Sequence, residues 1–205
     1  MKIDKIIASL EKEYPDPYCS LEFRKPYELL IAVRLAAQCT DARVNIVTKE
    51  LFEKYPTLES IAKAQVDAIE KIVRPCGLGP SKARDIVAAS RMLIDTYGSV
   101  VPDEIDELLK LPGVGRKTAN LIVGDVYGKP AVVCDTHCIR ITNRMGLTSS
   151  KNATVVEKQL RAILPPEKSS DFCHRMVLHG RAVCKARSPE CEGCCVNREC
   201  GKINV

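Results

Sequence analysis

Apolar residues recur at intervals of three and four along almost the whole chain, a spacing that gathers them on one face of a helix. Ile3, Ile6, Ile7 and Leu10 form the first such stripe. Pro26 is a favourable first helical residue and opens a second helix carrying Leu29, Leu30, Val33, Leu35 and Ala36. Asp41 can cap a third, which turns Val44, Ile46, Val47, Leu51 and Phe52 inward. Thr57 and Gln65 open two short helices, and Ser81 begins another with Ala83, Ile86, Val87, Met92 and Leu93. Further helices are expected near 103–109, 116–127, 137–146, 153–163 and 167–183, joined by short connections marked by Pro or Gly. Only Ala131-Val132-Val133-Cys134 reads as strand, and four residues with no alternating partner do not make a sheet. The predicted fold class is all-α.

The 205 residues suffice for one large domain or two small ones, and 45% hydrophobic with 28% charged residues excludes a disordered or collagen-like chain. No apolar run approaches the roughly 18–20 residues that span a bilayer. Met1-Lys2-Ile3-Asp4-Lys5 lacks the apolar core of a secretory signal, so a cytoplasmic location is expected. A net charge of +5 allows a polyanionic partner without demanding one.

Cysteine is the compositional anomaly. There are 11, an odd number, and a reducing compartment favours thiols or metal ligands over disulfides. Cys184, Cys191, Cys194 and Cys200 follow the spacing C-x6-C-x2-C-x5-C. Four thiolates so close in sequence can surround one centre, and both zinc and a [4Fe–4S] cluster accept four cysteines. Cys195, beside Cys194, is read as a non-ligand. Lys185 and Arg187 lie in the first loop of the cluster, where a folded loop would present both charges to phosphate or leave them solvated.

Leu111-Pro112-Gly113-Val114-Gly115-Arg116-Lys117 joins two predicted helices. Pro112 fixes φ, and the glycines permit positive φ and remove side-chain bulk. Backbone N–H groups at the next helix start can then meet a phosphate oxygen. A helix-hairpin-helix of this kind grips a nucleic-acid backbone without reading sequence. Lys117 falls in the first helical turn beside Arg116, where the macrodipole already disfavours a cation. That position suits an amine nucleophile, and it also suits a simple phosphate contact. Asp135 ends the apolar Ala131–Cys134 stretch. It is placed to cap the next helix or to present a carboxylate to a cleft. His137 reads as structural, and His174, Arg175, His179 and Arg181 as a solvated or phosphate-facing surface of the last long helix.

Taken together these strings resemble the endonuclease III family of helix-hairpin-helix DNA glycosylases. The resemblance runs through Tyr27–Val33, Gln38-Cys39-Thr40-Asp41, Gly77-Leu78, Leu111–Asn120, Asp135-Thr136-His137, Leu178–Arg181 and the four cysteines, in family order. It implies two helical lobes with DNA in the cleft between them: a six-helix domain over 20–128, and a discontinuous domain of 1–19 plus 129–205 carrying a [4Fe–4S] cluster on Cys184, Cys191, Cys194 and Cys200. Lys117 matches the catalytic lysine and Asp135 the catalytic aspartate. Gln38 and Leu78 match the residues that fill the gap left by a flipped nucleotide, and Leu111, Gly113, Gly115 and Arg116 the phosphate anchor. The implied reaction removes an oxidised pyrimidine from duplex DNA and cuts the strand by β-elimination through a lysine Schiff base, with a monomeric enzyme. Gly79-Pro80, Ala36 and Gly124-Asp125 depart from the usual pattern around the wedge and base pocket. A thymine-mismatch glycosylase and a non-catalytic iron–sulfur DNA-binding module are the alternatives. An adenine-mismatch glycosylase typically lacks the lysine.

Overall fold

The computed structural model describes residues 2–205. Among them are eleven α-helices, two short 3-10 helices and no β-strand. The chain divides into two compact units, Ser20–Tyr127 and a discontinuous one of Met1–Cys19 with Gly128–Val205.

The continuous unit holds α2 (Pro26–Ala36), α3 (Asp41–Lys54), α4 (Leu58–Lys63), α5 (Val66–Val73), a 3-10 turn (Arg74–Cys76), α6 (Gly79–Tyr97), α7 (Ile105–Leu108) and α8 (Arg116–Asp125). Helix α2 is buried along nearly its whole length, from Tyr27 to Val33 and at Leu35. A helix apolar on all sides belongs at the centre of a bundle, and α3, α6 and α8 pack around it. Glu28 is buried within this apolar run, but Oε2 accepts from the Arg24 and Lys25 amides at 2.7 and 3.3 Å. Burial of the carboxylate is thus offset by closing the helix start. Helices α4 and α5 pack against α6.

Several boundaries differ from those expected. Thr40 rather than Asp41 caps α3, accepting the Arg43 amide, and Asp41 is the first helical residue, where an acid favours the dipole. Ile46 is exposed rather than inward. Helix α6 starts two residues before Ser81. Thr57 and Gln65 do occupy the N-cap positions of α4 and α5.

The discontinuous unit holds α1 (Lys2–Glu13), α9 (Thr136–Met145), α10 (Ala153–Arg161), a 3-10 turn (Pro166–Lys168) and α11 (Ser169–Ala182). Helix α11 packs on both α1 and α9. The buried stripe of α1 is Ile3, Ile6, Ile7 and Leu10. Ala131–Cys134 is buried but pairs with no strand; the Val133 amide donates instead to Cys173 Sγ at 3.2 Å. All eleven cysteines are free, and Cys76, Cys134, Cys138 and Cys173 are buried as small apolar groups. No helix among the described residues is long and apolar enough to cross a membrane.

Candidate functional site

The turn between α7 and α8 is anchored from inside. Leu111 is 2% exposed, so its side chain belongs to the core. The Val114 amide donates to the Leu111 carbonyl at 3.1 Å, closing the turn. Its two glycines have different reasons. Gly113 has φ +75°, and a Cβ there would lie 2.8 Å from both Arg34 Nε and Asp85 Cβ. Those two residues form an ion pair at 2.7 Å behind the turn. Gly115 departs from expectation: its φ is −102°, within reach of any residue, and a Cβ would meet nothing within 4 Å. Its bareness serves open space in front of the helix start. The N-cap of α8 is a glycine, with no side chain to bond the first amides of the helix. Arg116 and Lys117 are the first two residues of α8 and both are exposed.

Substituting the two glycines separates these roles. Gly113→Ala should cost about 1–3 kcal/mol, from the positive φ and the close approach of Arg34 and Asp85. Gly115→Ala, at an ordinary φ with nothing for its methyl to meet, should cost less than about 1 kcal/mol. Melting curves check both.

Three other turns of this unit hold non-glycine residues in the left-handed region: Gln38 at φ 58°, Leu78 at φ 52° and Ser99 at φ 68°. Each costs roughly 1–2 kcal/mol for an L-residue. Gln38 is exposed just past the end of α2. Leu78, at the start of α6, leaves an apolar side chain 54% exposed. Leu78 thus combines a left-handed backbone with an exposed apolar side chain.

In the discontinuous unit Asp135 is half-buried and is the N-cap of α9, with Oδ1 accepting the Cys138 amide at 2.7 Å. His137 Nδ1 lies 3.2 Å from Arg140 Nη2, which also donates to the Cys184 carbonyl at 2.9 Å. A Cβ on Gly180 would lie 2.3 Å from that His137 nitrogen, so α11 can pass only as glycine.

Cys184, Cys191, Cys194 and Cys200 line one pocket, together with Arg144, His179 and Val196; Cys195 is not among its lining residues. Nitrogens of the same unit face three of these sulfurs. Arg144 Nη1 donates to Cys184 Sγ at 3.4 Å, the Lys202 amide to Cys200 Sγ at 3.4 Å, and His179 Nε2 lies 3.4 Å from Cys194 Sγ. The hydrogen bond with Cys195 pushes the Cys194 thiol down, against the cost of burial and with help from His179. Cys195 is pushed up by the same hydrogen bond and by burial. One of the pair is thus favoured as thiolate, the ligating form. Among the described residues no three His, Cys, Asp or Glu side chains converge on a point that could hold a single metal ion.

The surface position expected for His179 and Arg175 is not the one they occupy. His179 is 1% exposed, 3.0 Å from the Tyr14 hydroxyl through Nδ1, and Arg175 is buried with Nε donating to the Tyr14 carbonyl at 3.0 Å. Both lie on the face of α11 turned toward the α1 end of the unit, which their spacing alone does not reveal. Lys185 is exposed and ion-paired with Glu190 at 2.6 Å, and Arg187 is exposed.

Residues 31–166 match the HhH-GPD superfamily of base excision DNA repair proteins. Endonuclease III of Rickettsia felis is 41% identical over 202 residues, covering 98% of this chain and 95% of the relative. A trapped endonuclease III–DNA covalent intermediate superposes with a TM-score of 0.93 at 45% identity, covering 98% of this chain and 96% of that one. A thermostable thymine-DNA glycosylase superposes at 0.88 with 25% identity, covering 98% and 96%. The chain belongs to the endonuclease III family of HhH-GPD base excision repair proteins.

Proposed function

We propose that this protein is a base excision repair DNA glycosylase that removes oxidised pyrimidines from duplex DNA and cleaves the resulting abasic site. The observation that carries the reading is Lys117, exposed on the first turn of α8 directly behind the bare hairpin. The covalent DNA complex formed by a relative at 45% identity supports an enzymatic nucleophile. The thymine-DNA glycosylase is a more distant relative at 25% identity, which favours oxidised pyrimidines over mismatched thymine.

A base inside the stack is out of reach, so the nucleotide is extruded, at lower cost where damage weakens stacking and pairing. Exposed Leu78 enters the stack as an apolar wedge and Gln38 fills the gap beside it. The α7–α8 turn holds backbone phosphate through the first amides of α8 and the charge of Arg116. Lys117 attacks the sugar C1′ through its free amine, and the glycosidic bond breaks with its electron pair leaving on the base. Asp135 stabilises the positive charge that builds on the sugar and assists the proton movements. The sugar ring opens to a Schiff base on Lys117. Loss of the C2′ proton then expels the 3′ phosphate oxygen, cutting the strand 3′ to the lesion.

Cys184, Cys191, Cys194 and Cys200 would hold a [4Fe–4S] cluster. Zinc at about 2.3 Å from each sulfur needs four sulfurs converging on one point, whereas an iron–sulfur cluster gives each cysteine its own iron. Sulfurs spread around one pocket, with N–H groups facing three of them, fit the latter. Lys185 and Arg187 lie in the loop between Cys184 and Cys191, which ligation by both cysteines would tie down, and there they would contact phosphate. Cys191→Ser should lower the iron content from about four per chain and reduce soluble yield. A full iron complement would mean that Cys195 or another group substitutes.

The deciding experiment is incubation of the protein with duplex DNA carrying thymine glycol, then borohydride. A covalent protein–DNA band is expected. A band with an abasic site alone would mean that the lyase is intact and the base pocket is altered. No band with either would favour a monofunctional enzyme or a binding module.

A further inference from the structure

Lys82 has no part in the chemistry above, yet it is among the largest fully buried side chains of the described residues, with 0% exposure. It lies in the first turns of α6, and no carboxylate among the described residues pairs with it. Its Nζ donates instead to three backbone carbonyls: Leu35 at 2.8 Å, Ala37 at 2.7 Å and Cys76 at 2.8 Å. An ammonium has three N–H groups, so each is used and the burial is compensated by hydrogen bonds.

The three acceptors belong to two chain ends. Leu35 and Ala37 close α2, and Cys76 closes the 3-10 turn Arg74–Cys76. Terminal carbonyls of a helix lack partners within it and carry the negative end of its dipole, so one cation caps both ends at once. The chain leaves each end through a left-handed residue. Gln38 follows Ala37 directly, and Leu78 follows Cys76 after Gly77. The thiols of Cys39 and Cys76, one from each turn, also interact beside the ammonium. Two strained, exposed turns, far apart in sequence, are therefore tied to one buried atom. Moving either turn takes a carbonyl away from a charge that water cannot reach.

We propose that Lys82 is a positioning residue that couples the Gln38 turn to the Leu78 turn, so that both enter the DNA stack as one rigid unit. This rests on the reading of Gln38 and Leu78 as the residues that invade the duplex.

The test is a double-mutant cycle on single-turnover excision of thymine glycol from duplex DNA, with β-elimination at a preformed abasic site as the second readout. Lys82→Met keeps much of the length and removes the donors. Excision should fall at least about tenfold, while cleavage of the abasic site, where no base has to be unpaired, should stay within about threefold. Leu78→Ala should slow excision in the native background and add less than about twofold in the Lys82→Met background, because the wedge is already misplaced. Lys82→Gln, which retains two donors, carries the same cycle if the methionine variant does not fold by thermal melting. Equal costs of Leu78→Ala in both backgrounds would overturn the coupling, as would equal losses in excision and abasic-site cleavage, which mark general damage to the fold. Excision at the native rate by Leu78→Ala alone would remove the wedge reading and the role of Lys82 with it.

Discussion

Lys117→Ala should abolish borohydride trapping on both thymine glycol and abasic DNA, and lower excision by on the order of 10³-fold or more, as loss of a nucleophile does elsewhere. The protein should stay folded. Lys117 is exposed on the first turn of α8, so truncation removes no core contact. Alanine is the better helix former, and losing a cation from a helix N-terminus relieves about 0.3–1 kcal/mol of unfavourable dipole interaction. Unfolding should therefore occur at the native temperature or slightly above it. DNA affinity should fall only modestly, because one lost cation changes the salt dependence by about one counterion. Gel trapping, melting and a DNA titration at two salt concentrations read the three quantities separately. A band that persists in the alanine variant would assign the Schiff base to another amine. A collapse of binding along with trapping would return Lys117 to a phosphate contact, the other role open to a base at this position.

How much of this could be read beforehand depends on the range of the cause. Where a side chain acts within its own turn, the sequence was legible. Pro26 at the start of α2, Thr57 capping α4 through its side chain, and the stripe of α1 are all local effects of capping and periodicity. Thr40 and Asp41 show the limit: two adjacent good caps differ by one residue, and the chain's entry direction decides between them. The hairpin string located the turn but not the separate reasons for its glycines. Gly113 is required by Arg34 and Asp85, 79 and 28 residues away in sequence, whereas Gly115 needs neither space nor positive φ within the protein.

Polar residues whose partners are distant were misjudged or missed. His179 and Arg175 alternate with apolar residues on α11 and read as a solvated face, but both are buried because Tyr14, from the far end of the chain, supplies their partners. Lys82 gave no signal at all. A lysine in the first turns of a helix is ordinarily solvated, and only the convergence of two chain ends turns it into an internal cap. The cysteines were legible as a set because their spacing is local. Which of Cys194 and Cys195 faces the pocket is a matter of tertiary placement.

Asp135→Asn should separate the observed cap of α9 from the catalytic role proposed for the same carboxylate. The cap of α9 uses Oδ1, which accepts the Cys138 amide at 2.7 Å. Asparagine places a carbonyl oxygen at the same atom and is as good an N-cap as aspartate, so the bond survives. What is lost is the charge, worth about 0.3–1 kcal/mol at a helix N-terminus. Stability should therefore stay within about 1 kcal/mol of native. Excision should fall about 10²–10⁴-fold, since an amide neither balances positive charge on the sugar nor accepts a proton. Asp135→Ala loses the cap as well and should add roughly 1 kcal/mol of destabilisation to a similar catalytic loss. The pair of variants makes the comparison internal. If catalysis tracks stability, so that asparagine is active and alanine is not, Asp135 is a cap that holds α9 and nothing more. If asparagine is as inactive as alanine while melting like the native protein, the charge itself is what the reaction uses. Abasic-site cleavage by the asparagine variant sharpens the assignment: the base has already left there, so a role in stabilising the sugar cation during its departure predicts a smaller loss than in excision.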